Sequence, residues 1–146
     1  MDHTSGILAL AFFVPLLIFC LIFAILLIIA HWKIFTKAGE PGWAVLIPFY
    51  GTIVMLKIVG KPWWWLLLMF IPLVNIIFSV WSINMLSKSF GKDEAFTVGL
   101  LFLSFIFYPI LGFGSAKYMG PYGDPVAYNA YREKQQQWDF DSTKQQ

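Results

Sequence analysis

Pro41-Gly-Trp43-Ala-Val-Leu-Ile-Pro48-Phe-Tyr50-Gly51-Thr-Ile-Val-Met-Leu56 is the stretch on which the reading of this chain turns. It carries no charge, yet it is shorter than the roughly 20 apolar residues a helix needs to cross hydrocarbon. Pro48 and Gly51 divide it into two pieces of about two turns each. That pattern fits a re-entrant hairpin, which enters and leaves on one side, with a short span as the alternative.

Three longer charge-free runs surround it: Thr4–Ala30, Pro62–Ser87 and Ala95–Ala116. Each is long enough to span, and the expected spans are 7–29, 63–86 and 95–116. No Lys or Arg precedes the first run, and it is too long for a signal-peptide core. It is therefore expected to be an uncleaved signal anchor, with Pro15 as a kink. The third run starts Lys61-Pro62-Trp63-Trp64-Trp65. Proline suits the first turn of a helix, and tryptophan suits the headgroup level, so Trp32, Trp43, Lys61, Trp63, Trp64 and Trp65 are expected as interface anchors. Pro72 should bend the helix it lies in, and Pro109 should break the last one near its far end.

Composition agrees with lipid as the solvent. Of 146 residues, 59% are hydrophobic and 12% charged, and mean hydropathy is +0.70. Soluble domains carry about 25% charged residues. The expected fold is therefore an all-α integral membrane protein. It is a small bundle of three transmembrane helices plus the Pro/Gly-broken hairpin, residues 1–117, with a polar tail at 118–146. Four transmembrane helices are the alternative.

Charge placement favours the hairpin. It puts Lys33, Lys37, Lys57, Lys61, Lys117, Arg132, Lys134 and Lys144 on one side and only Lys88 and Lys92 on the other. By the positive-inside rule the protein sits in the inner (plasma) membrane with the N-terminus outside and the tail cytoplasmic. A net charge of +2 gives no case for nucleic-acid binding. An internal echo also appears. Lys37-Ala-Gly39-Glu40-Pro41 precedes Ile47-Pro48, Lys57-Ile-Val-Gly60-Lys61-Pro62 precedes Ile71-Pro72, and Lys88-Ser-Phe-Gly91-Lys92 repeats the basic glycine turn. Duplication and the shared needs of membrane loops account for it equally well. The tail opens with the turn-rich Gly120-Pro-Tyr-Gly-Asp-Pro125. Beyond it a mostly disordered segment is preferred over a short surface helix carrying Tyr128, Tyr131 and Trp138.

No catalytic constellation emerges. His3 and His31 lie outside the spans, as does every Asp and Glu, and proton relays need an ionisable group at membrane depth. Ser79, Ser82 and Ser104 have no His or Lys at their level. The lone Cys20 makes no internal disulfide, and no metal or cofactor is expected. Asn75, Ser79 and Ser82 fall at i, i+4 and i+7 on one helix face, which suits helix packing or a partner surface. Ala95-xxx-Gly99 and Gly112-xxx-Ala116 permit close helix contact.

Several motifs are more specific: Trp32-Lys33-Ile-Phe-Thr-Lys37-Ala-Gly39, Ile47-Pro48-Phe-Tyr50, Gly60-Lys61-Pro62-Trp63-Trp64, Ile71-Pro72-Leu-Val-Asn75, Lys88-Ser-Phe-Gly91-Lys92 and Phe107-Tyr108-Pro109-Ile-Leu-Gly112-Phe-Gly114. With these, residues 32–121 resemble an uncharacterised small integral-membrane domain of Bacteroidetes that occurs alone or fused ahead of signal peptidase I. The resemblance implies a cytoplasmic C-terminus and no assigned activity. The peptidase's serine and lysine motifs are not present in this tail, so its activity does not carry over. The expected role is a non-catalytic scaffold or accessory subunit that binds membrane proteins or itself, near protein export. A small oligomeric transporter or channel is the alternative.

Overall fold

Between Thr4 and Ala30 no side chain is charged, and helix-compatible Leu, Ile, Ala and Phe dominate. In the computed structural model, which describes residues 2–145, this run lies within α1, His3–Lys37. Met1 and Gln146, the outermost residues of the expected bundle and tail, lie outside the described residues. At 1.5 Å per residue α1 is about 52 Å long. Among the described residues it is the one helix long and apolar enough to cross a membrane. Pro15 lies within it.

The next six helices are α2 (Pro48–Val59), α3 (Trp65–Met69), α4 (Pro72–Ser89), α5 (Glu94–Phe102), α6 (Ser104–Phe113) and α7 (Pro125–Lys144). A short 3-10 helix, Gly42–Leu46, precedes α2. No strand occurs among the described residues.

Three of these helices end on the same turn. Gly39, Gly60 and Gly91 take φ of 78°, 84° and 70° after α1, α2 and α4. The next N–H then reaches back five residues: Glu40 to the Phe35 carbonyl (2.9 Å), Lys61 to Leu56 (2.8 Å) and Lys92 to Ser87 (3.0 Å). These are Schellman caps, and glycine adopts the left-handed conformation without a Cβ penalty. The echo in the sequence is thus a repeated helix stop.

After each stop the chain runs out and folds back. In the first unit the 3-10 helix returns as α2. Glu40 pairs with Lys57 at its base (2.7 Å), Trp43 stacks on Tyr50 at 5.4 Å, and Gly51 leaves room for the Ala44 carbonyl. In the second, α3 returns as α4, with Trp65 edge-on to Phe78 at 4.6 Å. In the third, α5 returns as α6, with Phe96 edge-on to Phe107 at 5.0 Å. The chain therefore turns back within 41–56, and it turns back twice more.

Two expectations are corrected here. Residues 63–86 are two antiparallel helices rather than one bent span. Ile71, restricted by the proline that follows it, is extended at φ −85°, ψ 117°, and Pro72 opens a new helix. Ile47-Pro48 does the same in the first unit. Residues 95–116 also reverse, but at Leu103 (φ −123°, ψ 44°). Pro109, the expected break, lies inside α6.

α2 and α6 end beside the end of α1, and α4 ends beside α2. α6 runs parallel to α1, with Phe23 beside Phe105 at 5.9 Å, His31 stacked on Tyr108 at 4.3 Å, and Gly112 against the Ala30 backbone. The linker after α6 crosses the ends of α2 and α4. The Tyr118 hydroxyl donates to the Ile58 carbonyl (2.5 Å), the Met119 N–H to Ser89 and the Gly123 N–H to Val59 (both 2.6 Å). The buried core, including Ile34, Phe35, Leu56, Val59, Leu86 and Leu111, gathers toward this end. The opposite tips are apolar and bare: Phe49, Phe70 and Phe102 are 62%, 64% and 78% exposed. The tail is corrected too. Asp124 caps Val126 and Ala127, Pro125 takes the first turn, and α7 runs through Lys144 instead of staying irregular.

The repeated stops predict a stability order. At Gly39 a Cβ meets open space, so Gly39→Ala costs only the left-handed strain, about 1–2 kcal/mol. At Gly60 the Cβ would also lie 2.7 Å from the Asp124 nitrogen and 2.9 Å from the Pro121 oxygen. Thermal unfolding in mild detergent should rank Gly60→Ala clearly below Gly39→Ala. Equal melting temperatures would contradict this packing of the linker.

Candidate functional site

Pro48 and Thr52 lie four residues apart, on one face of α2. Asn75 and Ser79 are likewise four apart on α4. Because α2 and α4 descend side by side, these faces meet near the first two tips, where Phe49 stacks on Phe70 at 6.0 Å. Between them lies a groove of about 320 Å³, floored by Leu66 and Met69 of α3.

The polar atoms in it are wired locally. The Asn75 Nδ2 donates to the Met69 carbonyl (2.6 Å), closing the end of α3. Ser79 Oγ donates to Asn75 Oδ1 (2.8 Å), and Thr52 Oγ1 to the Pro48 carbonyl (2.9 Å). Asn75 keeps a second amide hydrogen and further acceptor capacity. The lining side chains include no titratable group. The arrangement can therefore hydrogen-bond and pack against a visitor, but it has no acid or base of its own.

Of the expected polar stripe, Asn75 and Ser79 come together. Ser82 does not join them: it is buried and its Oγ has no hydrogen-bond partner. Thr52 and Pro48 had a signal, their i, i+4 spacing, but only the fold-back brings them opposite Asn75. Asn84 is used elsewhere, accepting from Thr97 Oγ1 (3.2 Å).

The expected anchors divide as well. Trp32 backs onto Gly42, where a Cβ would collide with its indole. Trp43, Trp63 and Trp64 are exposed, whereas Trp65 is buried against Phe78. Lys61 Nζ lies 5.0 Å over the Trp65 ring.

A second cluster forms at the glycine-turn end. Lys37 Nζ donates to the carbonyls of Leu111 (2.7 Å) and Gly114 (2.8 Å), closing the end of α6. Burial, and then the charges of Lys33 and Lys92, hold Lys37 below the usual lysine range. Lys57 is raised instead, by its hydrogen bond to Glu40 and that carboxylate's charge.

The class of protein is thus an all-helical chain in which one long apolar helix carries three fold-back units. Residues 43–121 match the model of DUF5684, a family of unknown function, and the chain belongs to that family. The match begins in the first unit and ends in the linker, leaving α1 and α7 outside it. No curated protein and no solved structure matches the chain.

Asn75→Leu should leave the Met69 carbonyl and Ser79 without their partner, at a cost of about 1–3 kcal/mol. Ser82→Ala should be neutral or stabilising, since its hydroxyl bonds nothing. Paired thermal melts check this, and a Ser82→Ala loss as large as that of Asn75→Leu would contradict the wiring.

Proposed function

We propose that this chain is a membrane-embedded, non-catalytic scaffold, with α1 as a single transmembrane anchor and the three hairpins dipping into the leaflet at its C-terminal end. The observation that carries this reading is the polarity of the fold. Apolar tips lie at one end of the hairpins, and the lysine-bearing turns lie at the other. A three-span chain would put Lys88 and Lys92 on the far side. The returning helices instead group them with Lys37 and Lys57. All ten basic residues then fall on one side, which the positive-inside rule assigns to the cytoplasm of the inner (plasma) membrane. The N-terminus is outside.

The groove between the first two tips supports a binding role over chemistry. It offers Asn75 and Ser79 to hydrogen-bond a neighbouring transmembrane segment, and contacts of this kind contribute about 0.6–2 kcal/mol each. Self-association is the other use of the same surface. The resemblance to a domain fused ahead of signal peptidase I supports a partner in protein export. The transporter alternative has less support, because no titratable group lines the groove and hairpins that do not cross leave no path within one chain.

A photo-crosslinking residue at Phe70, in intact membranes, should give a discrete protein adduct that Asn75→Leu weakens. The same probe at Phe140, on the exposed tail helix, should not give that adduct. A chain that is monomeric in mild detergent and yields only lipid adducts at Phe70 would overturn the scaffold reading.

A further inference from the structure

Ten cations against eight acids hide an uneven distribution at the glycine-turn end. Among the described residues Glu40 is committed to Lys57 (2.7 Å) and Glu94 to Lys88 (3.2 Å). Asp93 accepts from the Phe96 N–H (3.0 Å) at the start of α5, and Asp124 caps α7. Lys33 and Lys37 lie one turn apart on α1, Lys92 follows α4 and Lys117 lies in the linker after α6, and among the described residues no ion pair takes them up. Lys33 lies over the Phe113 ring at 5.0 Å and Lys92 over Phe96 at 5.6 Å. Their positive charges act on Lys37, which spends two of its three donors on carbonyls. Beside it opens a cleft of about 380 Å³ lined by Lys37, Ser115, Lys117 and Tyr131.

Folding has drawn Lys92 and Lys117 up to the Lys33–Lys37 pair, in a place where Glu40 and Glu94 are already taken by Lys57 and Lys88, while Asp139 lies beside Lys117 alone of the four. The geometry points to a phosphate-binding site at Lys33, Lys37, Lys92 and Lys117 that holds the headgroup of an anionic phospholipid. The lipid source follows from the placement of this end at the headgroup level, so the inference rests on the membrane reading above. A lipid there would satisfy the remaining Lys37 donor and neutralise the cluster. It would also tie the ends of α1, α5 and α6 to one molecule.

The test uses the full chain reconstituted into vesicles of phosphatidylcholine alone or mixed with phosphatidylglycerol, followed by extraction and native mass spectrometry of retained lipid. The wild type should retain phosphatidylglycerol. Lys92→Gln and Lys117→Gln, which leave the Lys37 hydrogen bonds intact, should each weaken retention about fivefold. Lys61→Gln removes one charge from the same end but away from the cluster, and should change retention less than about twofold. An equal loss in Lys61→Gln would overturn the site, since a diffuse surface field would then suffice. Displacement of the bound lipid by millimolar inorganic phosphate would overturn the lipid assignment. A chain that inserts but retains phosphatidylglycerol no better than phosphatidylcholine refutes the inference alone. A chain that inserts into neither refutes the membrane reading.

Discussion

Four helices of this protein point their C-termini at one end, and their unpaired carbonyls must be satisfied there. The last four carbonyls of any helix have no intrahelical partner, and the end carries partial negative charge. Here each end receives its own solution. Glycine turns close α1, α2 and α4. Tyr118, Met119 and Gly123 of the linker reach the carbonyls of Ile58, Ser89 and Val59. Lys37 closes α6. The lysines that follow or precede these turns complement the gathered dipoles. The linker is therefore a structural part of the bundle, and the buried core accumulates beneath it.

The opposite end has the reverse requirement. The reversals at Ile47-Pro48, Ile71-Pro72 and Leu103 turn the chain with few exposed polar groups, and Asn75 supplies the missing donor to the Met69 carbonyl. Exposed backbone polarity is costly in hydrocarbon, so this wiring is what a hairpin tip needs if it rests in lipid. The bare apolar surface of Phe49, Phe70 and Phe102 suits the same solvent. Fold polarity and charge polarity thus coincide, and the proposed placement follows from both.

Much of this was legible in the residues, though unevenly. The first helix, the turn-back around Pro48 and the repeated glycine turns follow from local chemistry: apolar length, a proline after an extended residue, and glycine after lysine. The reversal at Pro72 was visible only as a bend, because proline reports a helix boundary but not the angle that follows. The reversal at Leu103 had no local signal. It depends on Phe107 seating against Gly99 across the turn and on α6 docking along Ala30 of α1, the second a contact distant in sequence. Polar composition left α7 as the alternative to a disordered tail, and what decides for the helix is the Asp124 cap and Tyr131 packing against Tyr118. For the groove, the sequence offered Asn75 and Ser79 but not their facing residues on α2. The lysine cluster was invisible for the same reason, since only the fold-backs bring Lys92 and Lys117 to the Lys33–Lys37 pair on α1.

The central claim is that α3–α4 and α5–α6 return to the side they left. Glu94, whose side chain is 79% exposed at the start of α5, reports on it directly. With Cys20 replaced by Ala, a single cysteine at Glu94 should react with a membrane-impermeant maleimide only from the cytoplasmic side, together with a control cysteine at Ser142 in the tail. Labelling of the Glu94 position from the outside, while Ser142 is labelled from within, would contradict the account and restore a chain of crossing spans.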